Sequence, residues 1–269
     1  MNINMNISII GLGFVGGAIF KSLKMKGFIE NENLFIYDKY KQLGNLDLCL
    51  NTNLIILSLP TNFDKNINKF DITNIYDYCE LLSKNLFKGI ILIKSTIEPE
   101  TVDVLSKKYK NLKIIHNPEF LTARTAFYDF HNQKHIVLGI GINCNNDDVL
   151  YVKNFFSNNY PLAEISICKS IESESMKLFL NSFYAVKIQF FTELYLLCNK
   201  NNTDFNIIKK LMLKNGWINK MHTDIPGPDN NISFGGLCFP KDTNSLNQYM
   251  LKYNSNNYVI ESTIKERNL

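Results

Sequence analysis

The feature that most constrains the fold is a six-residue run, Gly11-Leu12-Gly13-Phe14-Val15-Gly16, set between the apolar run ISII (7–10) and a helix-length stretch ending near Lys26. In that strand-to-helix context each glycine has a separate task. Gly11 permits the tight turn, Gly13 lets the backbone approach a pyrophosphate, and Gly16 lets the helix pack on the strand, while the helix N-terminus attracts negative charge. Asp38 closes the next β-rich run, LFIYD (34–38), at the place where a carboxylate bonds ribose hydroxyls and repels a 2′-phosphate. NAD is therefore expected in preference to NADP, although Lys39 and Lys41 leave NADP open, and FAD fits the later residues poorly.

Further β-rich runs follow at 54–59, 89–94, 113–116 and 135–140, separated by helix-length segments. This alternation predicts an α/β fold: an N-terminal Rossmann-type, doubly wound parallel sheet. Four of the runs are nearly all apolar, as strands covered on both faces are, and belong in the middle of the sheet. From about Ser170 the pattern becomes helical, with Met176, Leu180, Phe183, Phe190, Leu194 and Cys198 spaced by threes and fours along one long helix. A second helix is predicted over 204–214, and a loop rich in Pro and Gly then leads to Cys238. The expected organisation is a dinucleotide-binding domain over 1–169 and a smaller helical domain over 170–269 that carries the long helix and the cysteine loop.

Composition excludes several classes. A charged fraction of 20% with an apolar fraction of 45% is that of a chain that folds. The net charge of +4 comes from scattered Lys and Arg, so no nucleic-acid partner is expected. Six cysteines stand far apart, with no paired spacing for zinc or a disulfide framework, which predicts no metal and a reducing cytoplasm. The start lacks a leader pattern, and no apolar run reaches the roughly 18 residues of a membrane span.

Cys238 lies in Phe234-Gly235-Gly236-Leu237-Cys238-Phe239-Pro240-Lys241-Asp242, a loop that opens a helix at Pro240. The helix dipole and Lys241 are expected to lower the pKa of Cys238 and make it nucleophilic. Lys187 falls within the apolar stripe of the long helix, where it either snorkels to the edge or points into a site as a stabiliser of oxyanion charge; Asn181, two turns earlier, could hold the same oxygen. Asn117-Pro118-Glu119-Phe120-Leu121 and Lys94-Ser95-Thr96 end two runs at the carboxyl edge of the expected sheet, as site residues or as ordinary strand-end caps. His222 has no partner identifiable in the sequence and reads as a surface histidine.

Taken together and in order, GLGFVG, SLPTN, IKSTIEPET, NPEFLTARTAFYDF, NSFYAVKIQF and FGGLCFPKD resemble the UDP-glucose/GDP-mannose dehydrogenase family, from about Ile7 to Leu246. The resemblance implies oxidation of the C6 alcohol of a nucleotide sugar, UDP-glucose foremost, to an acid with two NAD⁺ in succession. By the same resemblance Cys238 is the nucleophile that forms a thiohemiacetal and then a thioester. Lys187 and Asn181 stabilise the alkoxide, Asp242 handles protons, and Glu119 and Thr96 serve the water that cleaves the thioester. Gly11, Gly13, Phe14, Val15, Gly16, Asp38, Pro60, Thr61, Ser95, Thr96 and Lys241 hold NAD. The sugar falls to Glu119, Phe120, Leu121, Asn181, Lys187 and Phe234, Gly235 and Gly236.

The sequence departs from the family pattern at Thr122, where the family often has Arg, and at Thr192, where it often has Asn before Glu. It also ends at Leu269, so a compact form lacking the family's third, UDP-holding domain is expected, and a homodimer through the long helix. Two other readings remain: a two-electron β-hydroxyacid-type dehydrogenase, which needs no cysteine, and a non-catalytic NAD-binding subunit.

Overall fold

The computed structural model describes residues 5–267; residues 1–4 and 268–269, the extreme ends of the two expected domains, lie outside it. The chain divides into two compact units. Of the described residues, one comprises 5–62 and 71–177, the other 63–70 and 178–267.

The first unit is built on an eight-stranded sheet. In chain order its strands are β1 (Ile7–Ile10), β2 (Leu34–Asp38), β3 (Leu43–Gly44), β4 (Leu54–Leu57), β7 (Ile90–Ile93), β8 (Lys113–His116), β9 (His135–Ile140) and β10 (Glu164–Lys169), while β5 (Phe63–Asp64) and β6 (Lys69–Phe70) form a separate hairpin in the second unit. Across the sheet the order is β10-β9-β8-β7-β4-β1-β2-β3. β1 pairs in parallel with β2 on one side and β4 on the other, so the winding reverses at β1/β4, the switch point where such sheets bind ligands. β1, β4 and β7 are buried at every residue, and alternate side chains feed two cores. Ile7, Ile9, Leu54, Ile56 and Leu92 face one, and Ile10, Ile55, Leu57, Ile91 and Ile93 face the other.

Two features depart from an all-parallel sheet. β9 runs antiparallel to β8, pairing Ile115 with Ile140, and the short β3 closes the far edge antiparallel to β2. A two-residue strand such as β3 carries too little period to register in a sequence, and the direction in which β9 pairs is not written in its local pattern. β10, whose EISICK sequence has only a half-buried face, pairs in parallel with β9 and is an addition to the strands expected from the sequence. Helices α1 (Phe14–Met25), α2 (Leu46–Cys49), α3 (Thr73–Lys84), α4 (Thr101–Lys108), α5 (Ala126–His131) and α6 (Asn146–Asn159) connect the strands.

The second unit is helical. Helix α7 (Ser170–Asn201) runs through the unit boundary, which falls after Lys177. It is followed by α8 (Phe205–Lys214), capped by the Asp204 carboxylate on the N–H groups of Asn206 and Ile207, then α9 (Phe239–Lys252) and α10 (Tyr258–Glu266). The core gathers Phe191, Cys198, Phe205 and Ile225. The apolar stripe expected along α7 divides accordingly. Cys198 is buried, but Phe183 and Phe190 are about half exposed, and the buried positions include the polar Asn181, Ser182, Gln189 and Thr192. Three of these find hydrogen-bond partners in the segments packed there, Asn181 in Asp242, Gln189 in Ser233 and Glu266, and Thr192 in the Ile232 carbonyl, whereas the buried Ser182 hydroxyl has none among the described residues. Among the described residues no helix is long and apolar enough to cross a membrane.

Candidate active site

In the first unit the glycine turn sits at the end of β1. Gly11 has φ +89°, and a Cβ there would lie 2.3 Å from the Ser58 carbonyl oxygen; one on Gly16 would lie 1.8 Å from the carbonyl oxygen of Gly11. Both positions exclude a side chain by contact. At Gly13 a Cβ would meet nothing within 4 Å, so that side of the turn is open. Gly13 is also the N-cap of α1 and supplies no capping side chain, which leaves the first N–H groups of the helix to an outside acceptor. Phe14 is exposed and Val15 half-buried beside it. These features fit a dinucleotide pyrophosphate.

Asp38 is buried at the end of β2. One carboxylate oxygen accepts the N–H of Leu12 (2.7 Å), and the other accepts those of Tyr40 (3.0 Å) and Lys41 (2.9 Å). Burial raises its pKa, but these backbone donors and the Lys41 charge prevail and hold it below the usual carboxylate range. Lys41 donates to the Leu12 carbonyl at 2.6 Å, so its ammonium is engaged on the glycine turn itself. The ends of β4 and β7 are stitched together: Thr61 Oγ1 donates to the Thr96 carbonyl (2.7 Å) and Ser95 Oγ to the Leu59 carbonyl (2.6 Å), with Pro60 exposed between them.

At the end of β8, the Glu119 carboxylate accepts the Leu121 N–H at 2.8 Å, and Phe120 stacks on the His135 ring, centroids 5.8 Å apart. Lys177, on the part of α7 that belongs to this unit, is 5% exposed. Its ammonium donates to the Glu119 carbonyl (2.6 Å), lies 3.5 Å from the Glu119 carboxylate, and sits over the Phe120 ring. Sequence reasoning missed this residue.

In the second unit, Cys238 is exposed and is the N-cap of α9, with Pro240 in the first turn. Asp242, in the same turn, is fully buried. Its two oxygens accept from Asn181 Nδ2 and from the Lys241 ammonium, both at 2.6 Å. Lys241 is thus tied to Asp242 and also lies over the Phe70 ring at 4.4 Å. Gly236 has φ +72°, and Phe234 is buried with its carbonyl accepting Arg267 Nε at 3.0 Å.

Lys187 stands apart from this cluster. Its ammonium donates to the carbonyls of Asn219 (2.5 Å) and Met221 (2.8 Å), and partial burial lowers its pKa. Asn181 and Lys187 are six residues apart, which is not a helical repeat, whereas Lys177 and Asn181 are four apart and share a helix face. That i, i+4 spacing within SMKLFLN was the signal available in the sequence. His222, expected at the surface, is instead half-buried between the rings of Tyr184 (4.6 Å) and Phe239 (5.3 Å); burial, with Lys187 nearby, lowers its pKa.

A glycine turn at the switch point of a doubly wound sheet defines a Rossmann-type dinucleotide-binding unit. Comparison with known proteins narrows the class. The model for the NAD binding domain of the UDP-glucose/GDP-mannose dehydrogenase family matches residues 24–153, and that for the family's central domain matches 171–268. The chain belongs to this family, and NAD is the cofactor of its first domain. UDP-glucose 6-dehydrogenase of Rickettsia bellii is 30% identical over 88% of the chain and 53% of its own length, and that of Campylobacter jejuni 29% over 80% and 52%. The chain thus spans about half the length of these relatives. Among solved structures, a UDP-glucose dehydrogenase from Pyrobaculum islandicum has a TM-score of 0.82 at 18% identity, covering 97% of this chain and 67% of the other. A 3-hydroxyisobutyrate dehydrogenase from Mycobacterium tuberculosis has 0.71 at 12%, covering 97% and 91%. Both likenesses show the fold.

Proposed function

We propose that the protein is an NAD-dependent nucleotide-sugar 6-dehydrogenase that oxidises UDP-glucose to UDP-glucuronate. The observation that carries this reading is the pair of buried side chains Asn181 and Asp242, joined by the half-buried Lys241, at the N-terminus of the helix capped by exposed Cys238. A two-electron dehydrogenase has no use for such a cysteine.

NAD⁺, held by the Gly11–Gly16 turn, Asp38, Pro60, Thr61, Ser95 and Thr96, supplies the hydride acceptor when bound. The residues do the rest. The C6 alcohol loses a proton and a hydride to become an aldehyde, and Lys177 stabilises the developing alkoxide. We give the lysine role to Lys177 in place of Lys187 because Lys177 is buried, carries its ammonium on the Glu119 turn, and lies one helical turn before Asn181. The Cys238 thiolate adds to the aldehyde, because only the tetrahedral adduct can release a second hydride. Loss of that hydride leaves a thioester. Water, directed by Glu119 and Thr96, then releases the acid and returns the thiol. The balance is one alcohol, two NAD⁺ and one water converted to one carboxylate, two NADH and three protons.

A thiol that must remain reduced suits a cytoplasmic protein. We also propose a homodimer through α7, whose Phe179, Phe183, Phe190 and Leu197 are about half exposed along one stripe.

The decisive experiment counts NADH formed per UDP-glucose consumed. Two NADH, lost in Cys238→Ala with NAD binding intact, is the expected result. One NADH, undiminished in that variant, would establish the β-hydroxyacid-type alternative. None, with every nucleotide sugar tried, would favour a non-catalytic subunit.

A further inference from the structure

We propose that Lys94 is a positioning residue: it clamps the 117–119 turn and so holds Glu119 in the orientation that its role in thioester hydrolysis requires. The inference deepens the nucleotide-sugar reading and rests on it.

Lys94 follows β7 and is 3% exposed. Its ammonium donates to Asn117 Oδ1 at 2.9 Å, approaches the Pro118 carbonyl at 3.5 Å, and lies 5.4 Å from the centre of the Phe130 ring. Burying a lysine is costly, and packing alone would be served as well by methionine. The cost is visible in its pKa, which burial pushes down to about 7, Lys177 acting in the same direction and Glu119 against it.

Both hydrogen-bond acceptors of the Lys94 ammonium belong to the turn that carries Glu119. Asn117 is fully buried, its N–H on the Ile93 carbonyl (2.8 Å) and its Nδ2 on the Val137 carbonyl (2.8 Å), so its Oδ1 is the end left for Lys94. Two residues further on, Lys177 takes the Glu119 carbonyl at 2.6 Å. Two buried lysines therefore grip one turn at both ends, and the Glu119 carboxylate leaves that turn with one oxygen on the Leu121 N–H. The hydrogen bonds of Lys94 reach Glu119 through the backbone they hold, and the two charges also act on each other directly.

The step affected is hydrolysis. The water oxygen bonds to the thioester carbon, the carbon–sulfur bond breaks, and sulfur leaves as thiolate. One water proton passes to the base and the other is lost as the acid ionises. Neither hydride transfer uses Glu119 in this way. Loss of the clamp should therefore divide the reaction into an intact oxidative phase and a slow hydrolytic one.

The test is rapid-mixing kinetics on the whole protein with NAD⁺ and UDP-glucose, comparing wild type with Lys94→Met and Lys94→Gln. Glutamine keeps one donor and serves should the methionine variant not fold; melting curves and NAD titrations identify the folded proteins. Expected in the variants is a burst of two NADH per subunit at a rate within about threefold of wild type, then a steady rate lower by about tenfold or more. Acid-quenched protein should carry the sugar-acyl mass on Cys238. A burst and steady rate that fall by the same factor in every folded variant, or no fall in either, would overturn the clamp. A wild-type protein that forms no NADH at all would overturn the nucleotide-sugar reading, and the inference with it.

Discussion

Asn181 and Asp242, 61 residues apart in sequence, share a 2.6 Å hydrogen bond in which both side chains are buried. The bond joins the middle of α7 to the first turn of α9, the helix capped by Cys238. A carboxylate buried at a helix N-terminus is favoured by the helix dipole, and here the Lys241 ammonium also offsets its charge. The position of the cysteine is thereby referred to a long, well-packed helix and does not depend on its own loop alone.

Asn181→Ala removes the donor and leaves one Asp242 oxygen unpartnered in the interior. The expected cost is about 1–3 kcal/mol. That corresponds to a melting temperature lower by about 2–4 °C for each kcal/mol. Activity should fall further than stability does, by about a hundredfold in kcat, since the same amide is assigned to the alkoxide. Calorimetry and NADH formation on one preparation separate the two effects, and an unchanged kcat would remove Asn181 from the chemistry.

The lysine assignment is open to direct comparison. Lys177→Met should lower kcat by about a hundredfold or more, because it deletes the buried ammonium beside Glu119. Lys187→Met deletes two hydrogen bonds to the carbonyls of Asn219 and Met221 and should cost less than about tenfold. If Lys187→Met proved the more damaging, the alkoxide role would pass to Lys187 with Asn181.

These two lysines show how far the fold and the site are legible in the sequence. The glycine turn, the central strands and the helix opening at Cys238 are legible because each rests on a local pattern: a fixed glycine spacing, an unbroken apolar run, a proline in a first turn. The hairpin of β5 and β6, with two residues per strand, leaves no such pattern. The burial of Lys94 and Lys177 is hidden for a different reason. A lysine becomes an interior residue only through partners such as Asn117 and Glu119, which the fold brings close from 23 and 58 residues away. Thr192 is similar: a departure from the family pattern in sequence, it donates in the structure to the Ile232 carbonyl at the root of the cysteine loop.

That loop is held from two sides. Thr192 and Gln189 of α7 bind Ile232 and Ser233, and Arg267, just past α10, binds the Phe234 carbonyl. Thr192→Val and Arg267→Ala should each free this stem at a cost of about 1 kcal/mol in stability. Amide exchange over 232–238 should quicken in both while α8 is unaffected. Exchange that quickens uniformly across the unit would indicate general destabilisation and no specific strap.

Stability responds to pH at the first turns of α7. Glu174 is fully buried, its oxygens accepting the N–H groups of Glu100 (2.7 Å) and Val102 (2.8 Å) at the start of α4. Burial pushes its pKa from the ordinary 4.5 up to about 7; the two N–H donors oppose the rise, and Asp103 and Glu100 add to it. The folded state therefore holds this proton more tightly than the unfolded chain does. Its contribution to stability is fully present below pH 4.5 and is lost as pH rises from there through 7. The loss amounts to about 3 kcal/mol at most, since a tenfold change in proton affinity is worth about 1.4 kcal/mol. Glu174→Gln cannot titrate, and it also gives up one of the two acceptors, so it should be less stable than wild type at acid pH. Urea unfolding at intervals between about pH 4 and 8 should show the gap between the two proteins narrowing as pH rises, because only the wild type carries the titrating group. A gap that stayed constant would mean that Glu174 keeps one charge state throughout, and the two N–H donors, not burial, would then govern it.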